Sequence, residues 1–193
     1  MNVRSATFLA SATDLESCPP PELPEFAFIG RSNVGKSSLL NMLARKKDLA
    51  KVSATAGKTK LINFFTINEK WRIVDLPGYG YAAGSKMERF RFQEMITNYL
   101  LGREALEKVF ILIDSRHSPQ AIDVDFVAWA LESGISFQLV FTKGDKMKAG
   151  PLKKNIAAFL SNFTDGPSWP VLISSAKTGA GRLEILRVIA AED

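Results

Sequence analysis

Phe26-Ala27-Phe28-Ile29-Gly30-Arg31-Ser32-Asn33-Val34-Gly35-Lys36-Ser37-Ser38 is a short apolar run, then a G-x-x-x-x-G-K-S spacing, then the start of an apolar helical pattern. Strand, glycine-rich turn and helix in that order make a phosphate cradle. Successive backbone N–H groups of the turn point inward at phosphate oxygens, and the helix beginning near Gly35 offers its positive dipole end to the same charge. Lys36 would reach the β and γ phosphates, and the Ser37 hydroxyl would take one position on a Mg²⁺ ion.

Outward from this stretch, a strand is expected at Ala6–Ala10, followed by an extended lead-in from Asp14 to Glu25 that carries four prolines. Downstream, apolar or alternating runs fall at Leu61–Ile67, Arg72–Leu76, Lys108–Asp114, Phe137–Phe141 and Val171–Ile173. Helical patterns fall between them at Lys36–Ala44, Lys86–Leu101, Ala121–Glu132, Leu152–Asn162 and Gly181–Ala191. Such alternation predicts an α/β fold with a mostly parallel central sheet of about six or seven strands and helices on both faces. The runs Leu61–Ile67 and Trp71–Leu76, separated only by Asn68–Lys70, are close enough for a hairpin, which gives one antiparallel pair. Residues 1–24 are expected to belong to the same domain as 25–193. In such sheets ligands sit at the C-terminal ends of the strands, where the phosphate loop falls.

The 193 residues, 46% hydrophobic, suit a single core. A net charge of +5 favours an anionic partner beyond a nucleotide. The one cysteine, Cys18, has no partner for an internal disulfide, which suggests a reducing compartment. No apolar stretch approaches the ~20 residues of a membrane span and no signal core is visible near the start, so a cytoplasmic location is expected. Trp129, Trp169 and the 13 phenylalanines read as core rather than ligand, since helical and alternating spacing explains most of them, and the lone His117 is expected in a surface turn.

Three further signals follow the loop in chain order. The strand ending at Asp75-Leu76-Pro77-Gly78 carries a D-x-x-G, in which Asp75 would hold Mg²⁺ through a water and the Gly78 N–H would bond the γ phosphate. Phe137–Phe141 runs into Thr142-Lys143-Gly144-Asp145. There a carboxylate can accept from guanine N1–H and the N2 amino group together. Adenine lacks that donor pair and would leave the charge unpaired, a discrimination that reaches roughly 10⁴-fold. Val171–Ile173 leads into Ser174-Ser175-Ala176-Lys177, whose backbone amide near Ala176 could donate to guanine O6. Each signal alone fits a polar turn after a strand; together they select GTP.

On these residues the chain resembles the EngB (YihA/YsxC) family of bacterial GTPases in the Era-like TRAFAC class. The resemblance also rests on Gly57-Lys58-Thr59 followed by Ile62-Asn63-Phe64-Phe65, and on Pro77-Gly78-Tyr79-Gly80-Tyr81. Ala56 stands where the family usually has proline. The resemblance implies a P-loop small G domain whose nucleotide contacts are Gly30, Arg31, Ser32, Asn33, Val34, Gly35, Lys36, Ser37, Ser38, Gly57, Lys58, Thr59, Lys60, Leu61, Asp75, Leu76, Pro77, Gly78, Thr142, Lys143, Gly144, Asp145, Ser174, Ser175, Ala176 and Lys177. Mg²⁺ would be held by Ser37, Thr59 and, through water, Asp75. Thr55 competes with Thr59, which is preferred because it directly precedes a strand. Lys36, Thr59 and Gly78 would act on the reacting phosphate. Asn33 matches the residue that helps hold K⁺ in potassium-activated relatives. The resemblance further implies a role in late assembly of the large ribosomal subunit and a requirement in cell division and septation.

Tyr79 occupies the position where Ras-type enzymes carry a water-orienting Gln, so hydrolysis is expected to be slow, no faster than the ~10⁻⁴ s⁻¹ scale of unassisted Ras. Tyr79 could equally pack over the pocket or meet a partner. The basic residues Arg45, Lys46, Lys47, Lys51, Lys58 and Lys60, and a second cluster at Lys146, Lys148, Lys153 and Lys154, could face ribosomal RNA. A monomer is expected. Two rival readings remain at this stage: a GTP-binding scaffold that never cycles, and an ATP-dependent P-loop enzyme.

Overall fold

The computed structural model describes residues 2–50, 61–80 and 85–191. Seven strands form one sheet in the order β1-β3-β4-β2-β5-β6-β7. They are β1 (Ala6–Ala12), β2 (Glu25–Gly30), β3 (Ile62–Ile67), β4 (Trp71–Asp75), β5 (Leu106–Asp114), β6 (Phe137–Thr142) and β7 (Val171–Ile173). β2 lies in the middle, parallel to β4 on one side and β5 on the other. Only β3 runs against the rest. It makes the expected hairpin with β4, and β1 adds itself antiparallel to its outer edge. Asn68 and Glu69 both take positive φ, at 53° and 60°, and the Lys70 N–H donates to the Ile67 carbonyl at 3.0 Å. That geometry matches the twist of the flanking strands.

Every residue of β2 is buried, and their alternation feeds two cores. Phe26 and Phe28 point to one face with Phe110, Leu112 and Val140, and are covered by α1 (Lys36–Ala44) and α5 (Arg182–Ala191) through Leu39, Leu40, Leu43, Ile185 and Ile189. Ala27 and Ile29 point to the other with Val109, Ile111 and Phe141, covered by α2 (Lys86–Gly102), α3 (Ala121–Glu132) and α4 (Ala149–Leu160). A strand buried on both faces reads as a continuous apolar run, which is why Phe26–Ile29 shows no alternation of polarity. α4 begins three residues before its predicted start: Pro151 falls in the first turn, where its missing N–H costs no hydrogen bond. Trp129 and Trp169 pack at the edge of the second core.

Glu25 opens β2 at the end of the sheet away from the phosphate loop and is fully buried. Its Oε1 accepts from Arg72 Nη1 at 3.1 Å and Arg103 Nη2 at 2.6 Å; its Oε2 accepts from Tyr99 OH and Arg103 Nε, both at 2.8 Å. The same guanidinium groups donate to the carbonyls of Pro20 and Pro19, both at 2.7 Å. The proline-rich lead-in is thereby fastened to the base of the sheet. Cys18 lies beside this cluster, where burial pushes its thiol up to about 11.

Candidate nucleotide-binding site

Gly30 ends β2 because a side chain would not fit: a Cβ there would lie 2.8 Å from the Leu112 carbonyl oxygen and 3.0 Å from Val34 Cγ1. The loop that follows reaches α1 through Gly35, whose φ of 100° belongs to the left-handed region. Among the described residues α1 has no side-chain cap at its N-cap, Gly35, and its first turn has no acidic residue. The first N–H groups of a helix have no intrahelical partner, so this end presents donors and a positive dipole end to whatever anion the loop encloses. The Lys36 ammonium pairs with the Asp75 carboxylate at the end of β4, which brings the cation expected at the phosphates against the acid expected near the metal.

Gly78 is seated directly on this loop. A Cβ at Gly78 would fall 2.7 Å from the Gly30 carbonyl oxygen and 3.2 Å from the Ser32 nitrogen, so only glycine lets the D-x-x-G backbone come this close. Asp75 and Leu76 are buried, and the Leu76 N–H donates to the Phe28 carbonyl at 3.1 Å, which fixes the exit of β4 against β2.

The Thr142–Asp145 segment grips the loop from the other side. Thr142 Oγ1 donates to the Val34 carbonyl at 2.7 Å and to that of Ile113 at 3.3 Å. Lys143 Nζ donates to the Asn33 carbonyl at 2.5 Å and to Asp114 Oδ2 at 2.8 Å. Asp145 is exposed, with one carboxylate oxygen accepting from Ser175 Oγ at 2.6 Å, a bond that holds its carboxyl below the ordinary value. The Gly144 N–H donates to the Ser174 carbonyl at 3.0 Å, tying this segment to the turn after β7. One side of α1 from Gly35 to Met42, the residues 45–48 that follow it, the segment 142–146 and the turn 174–177 line a cleft of about 710 Å³. That lies within the range of small-molecule sites, roughly 300–1,000 Å³.

The structure thus brings together the described candidates of the phosphate loop, the D-x-x-G and the two base-side turns. Gly57, Lys58, Thr59 and Lys60, together with Thr55, Lys51 and Tyr81, lie outside the described residues. Of the first basic cluster, Lys46 Nζ donates to the Ala6 carbonyl at 3.0 Å. His117 is exposed, 3.9 Å from Asp114. Among the described residues no cluster of three or more His, Cys, Asp or Glu could hold a metal, and no helix is long and apolar enough to cross a membrane.

Two acids went unread in the sequence. Asp114, at the end of β5, accepts from Arg116 through Nε at 2.9 Å and Nη2 at 2.8 Å, and from Lys143. Burial pushes its carboxyl up, but these hydrogen bonds outweigh burial and leave it well below the usual carboxylate range. Asp123, in the first turn of α3, is 1% exposed and accepts from Arg31 Nε and from Tyr79 OH. The only sequence signal for either was an acid at a strand end or helix start. The Tyr79 ring stacks on Phe126 with centroids 4.3 Å apart, and burial raises its hydroxyl well above its ordinary value. Tyr79 therefore packs on α3 as a neutral phenol.

A glycine-rich loop between a central strand and an uncapped helix, a D-x-x-G seated on that loop, and an acidic turn beside it are the parts of a small P-loop GTPase domain. Comparison with known proteins agrees. A family model described as "50S ribosome-binding GTPase" matches residues 25–143. The Probable GTP-binding protein EngB of Phocaeicola vulgatus is 48% identical over 98% of this chain and 96% of its own length. Its counterpart in Bacteroides thetaiotaomicron is 50% identical over 98% and 95%. The chain belongs to the EngB family and is a GTPase. Among solved structures, a probable GTP-binding protein EngB superposes with a TM-score of 0.70 at 23% identity, covering 87% of this chain and 97% of that one. Era in complex with MgGDPNP and a 16S ribosomal RNA fragment superposes at 0.66 and 24%, covering 86% of this chain and 55% of that one. Both share the fold.

Proposed function

We propose that this protein is a Mg²⁺-dependent guanine-nucleotide switch with slow intrinsic hydrolysis, acting in the cytoplasm as a monomer, whose nucleotide state is read by the large ribosomal subunit during its assembly. The observation that carries the reading is that Gly78 and the Lys36–Asp75 pair gather at the phosphate loop while Asp145 lines the cleft that begins beside it at Gly35. Backbone N–H groups of residues 31–38 would hold the phosphates, and Asp145, held by Ser175, would accept from the guanine edge. Ser37, Thr59 and, through water, Asp75 would hold the metal; Mg²⁺ is usually bound by few protein ligands plus phosphate, so the absence of a carboxylate cluster among the described residues fits it. Bound there, Mg²⁺ neutralises charge on the β and γ oxygens. Lys36 would leave Asp75 for the same phosphates.

Tyr79 offers no base, because its hydroxyl donates to Asp123. Positioning and electrostatics carry the chemistry, which supports turnover no faster than ~10⁻⁴ s⁻¹ without a partner. The γ phosphate would engage Thr59 and Gly78 together, and its loss would release both, converting hydrolysis into a change of surface. On this reading the protein is also needed in division and septation, either directly or through its work on ribosomes.

The test is calorimetry with magnesium, followed by single-turnover hydrolysis with and without large-subunit particles. GTP and GDP should give heat while ATP fails to compete, and particles should raise the rate. Silence with both guanine nucleotides sinks the proposal; a rate indifferent to particles removes its ribosomal part. Stimulation by K⁺ through Asn33 is checked by turnover in KCl against NaCl at equal ionic strength, where equal rates dismiss it.

A further inference from the structure

Asp123 has no task in nucleotide binding, yet it joins two loops that do. Its carboxylate accepts from Arg31 Nε at 3.1 Å and 3.0 Å and from Tyr79 OH at 2.8 Å. Arg31 is the first residue of the phosphate loop after Gly30, and Tyr79 directly follows Gly78. Among the described residues the helix that supplies this acid does not line the cleft, and one turn further along it supplies Phe126, on which the Tyr79 ring stacks. Both ends of the tyrosine are therefore held by α3. Gly80 continues the contact: a Cβ there would lie 2.6 Å from Ile122 Cδ1.

The chemistry makes this tether firm. A carboxylate that is 1% exposed needs its donors, since burial alone raises Asp123 above the ordinary carboxylate value. If Tyr79 leaves, a buried charge loses one of two partners. The loop carrying Tyr79 is thus biased toward the position in which Gly78 lies against Gly30 and Ser32.

We propose that Asp123 is a positioning residue for the γ-phosphate end of the site: through Arg31 and Tyr79 it biases the D-x-x-G loop toward its seat on the phosphate loop, which lowers the cost of ordering the Gly78 N–H when the triphosphate binds. The proposal rests on the reading of Gly78 as the γ-phosphate donor. GDP has no γ phosphate, so the tether favours GTP alone. A strut that merely holds the fold together would affect both nucleotides alike.

Tyr79→Phe deletes the hydroxyl and keeps the ring on Phe126. Dissociation constants for GDP and for a non-hydrolysable GTP analogue are measured by titration, with a melting curve to confirm folding. The analogue should weaken about tenfold, the scale of one hydrogen bond to a charged acceptor, while GDP affinity stays the same. Asp123→Asn, which keeps an acceptor but loses the charge, should move the GTP-to-GDP preference in the same direction. Combining it with Tyr79→Phe should add less than the sum, because both act through one contact. An unchanged preference in both folded variants, or a shift toward GTP, overturns the proposal while leaving nucleotide binding intact. If the unaltered protein binds neither nucleotide, the underlying functional reading fails first and takes this one with it.

Discussion

On the proposed reading, one side chain, Asp145, would set specificity. Its carboxylate stands at the mouth of the cleft with a single oxygen fixed by Ser175, so its acceptor geometry is set before any base arrives. In Asp145→Asn an amide donor would replace one acceptor, turning it toward the carbonyl that xanthine carries where guanine has an amino group. Guanine nucleotide affinity should fall steeply, toward the roughly 10⁴-fold ceiling for an unpaired polar group, and xanthine nucleotides should gain. Competition titration with GTP and XTP reads the exchange; retained guanine preference would remove Asp145 from its role. Asp114 gives a prediction of a different kind. Because its folded carboxyl lies below the ordinary value, the stability it contributes is full above the unfolded pKa and is lost as pH falls through the folded one. The melting-temperature gap between the unaltered protein and Asp114→Asn, measured without nucleotide, should be widest at neutral pH and shrink below about pH 4. A gap constant with pH would show that the charge is not what stabilises. Asp145 was legible in the sequence because it follows a strand at a recognisable spacing. Asp114 and Asp123 were not, because their meaning depends on Lys143 and on Arg31 and Tyr79, partners 29, 92 and 44 residues away.

At the scale of elements, the β2-loop-α1 unit was readable in full. Its glycines, its apolar run and the absence of any cap at the helix start are local properties, and local properties survive in a single sequence. The strand pattern at Leu61–Ile67 and Trp71–Leu76 also predicted the hairpin. It could not show that β1 would close the sheet beside β3, since pairing over such a separation leaves no local mark. The Glu25 cluster was hidden for the same reason: a glutamate after a proline reads as exposed until Arg72 of β4, Tyr99 of α2 and Arg103, which caps α2, arrive. Removing one member of such a cluster strands buried charge. Glu25→Gln should therefore cost about 3–5 kcal/mol of unfolding free energy by denaturant titration, with the guanine nucleotide affinity of the folded fraction unchanged. Because Glu25 and Gly30 stand at opposite ends of one strand, a loss of affinity in step with stability would mean that the base of the sheet governs the site.

Across the whole molecule, charge is what suggests a partner. A surplus of five positive charges exceeds what one nucleotide requires, and Arg45, Lys46 and Lys47 sit where α1 ends, on the wall of the cleft opposite Lys146 and Lys177. Charge placed at the rim of a switch can report nucleotide state only if ordering of the neighbouring loops changes how it is presented. An RNA partner would then be bound through phosphates, and each phosphate neutralised releases counterions, so affinity falls with salt by a slope of about −0.7 to −0.9 per contact. Sedimentation with purified large-subunit particles should show the GTP-analogue form binding more tightly than the GDP form. A log–log plot against KCl should be linear with a slope of several units. Changing Lys153 and Lys154 of the second cluster together to Ala should reduce that slope and weaken binding without altering nucleotide affinity, since both are exposed and neither lines the cleft. Identical binding in both nucleotide states would separate the GTPase from the ribosome, and a flat salt response would assign the surplus charge to solubility instead of recognition.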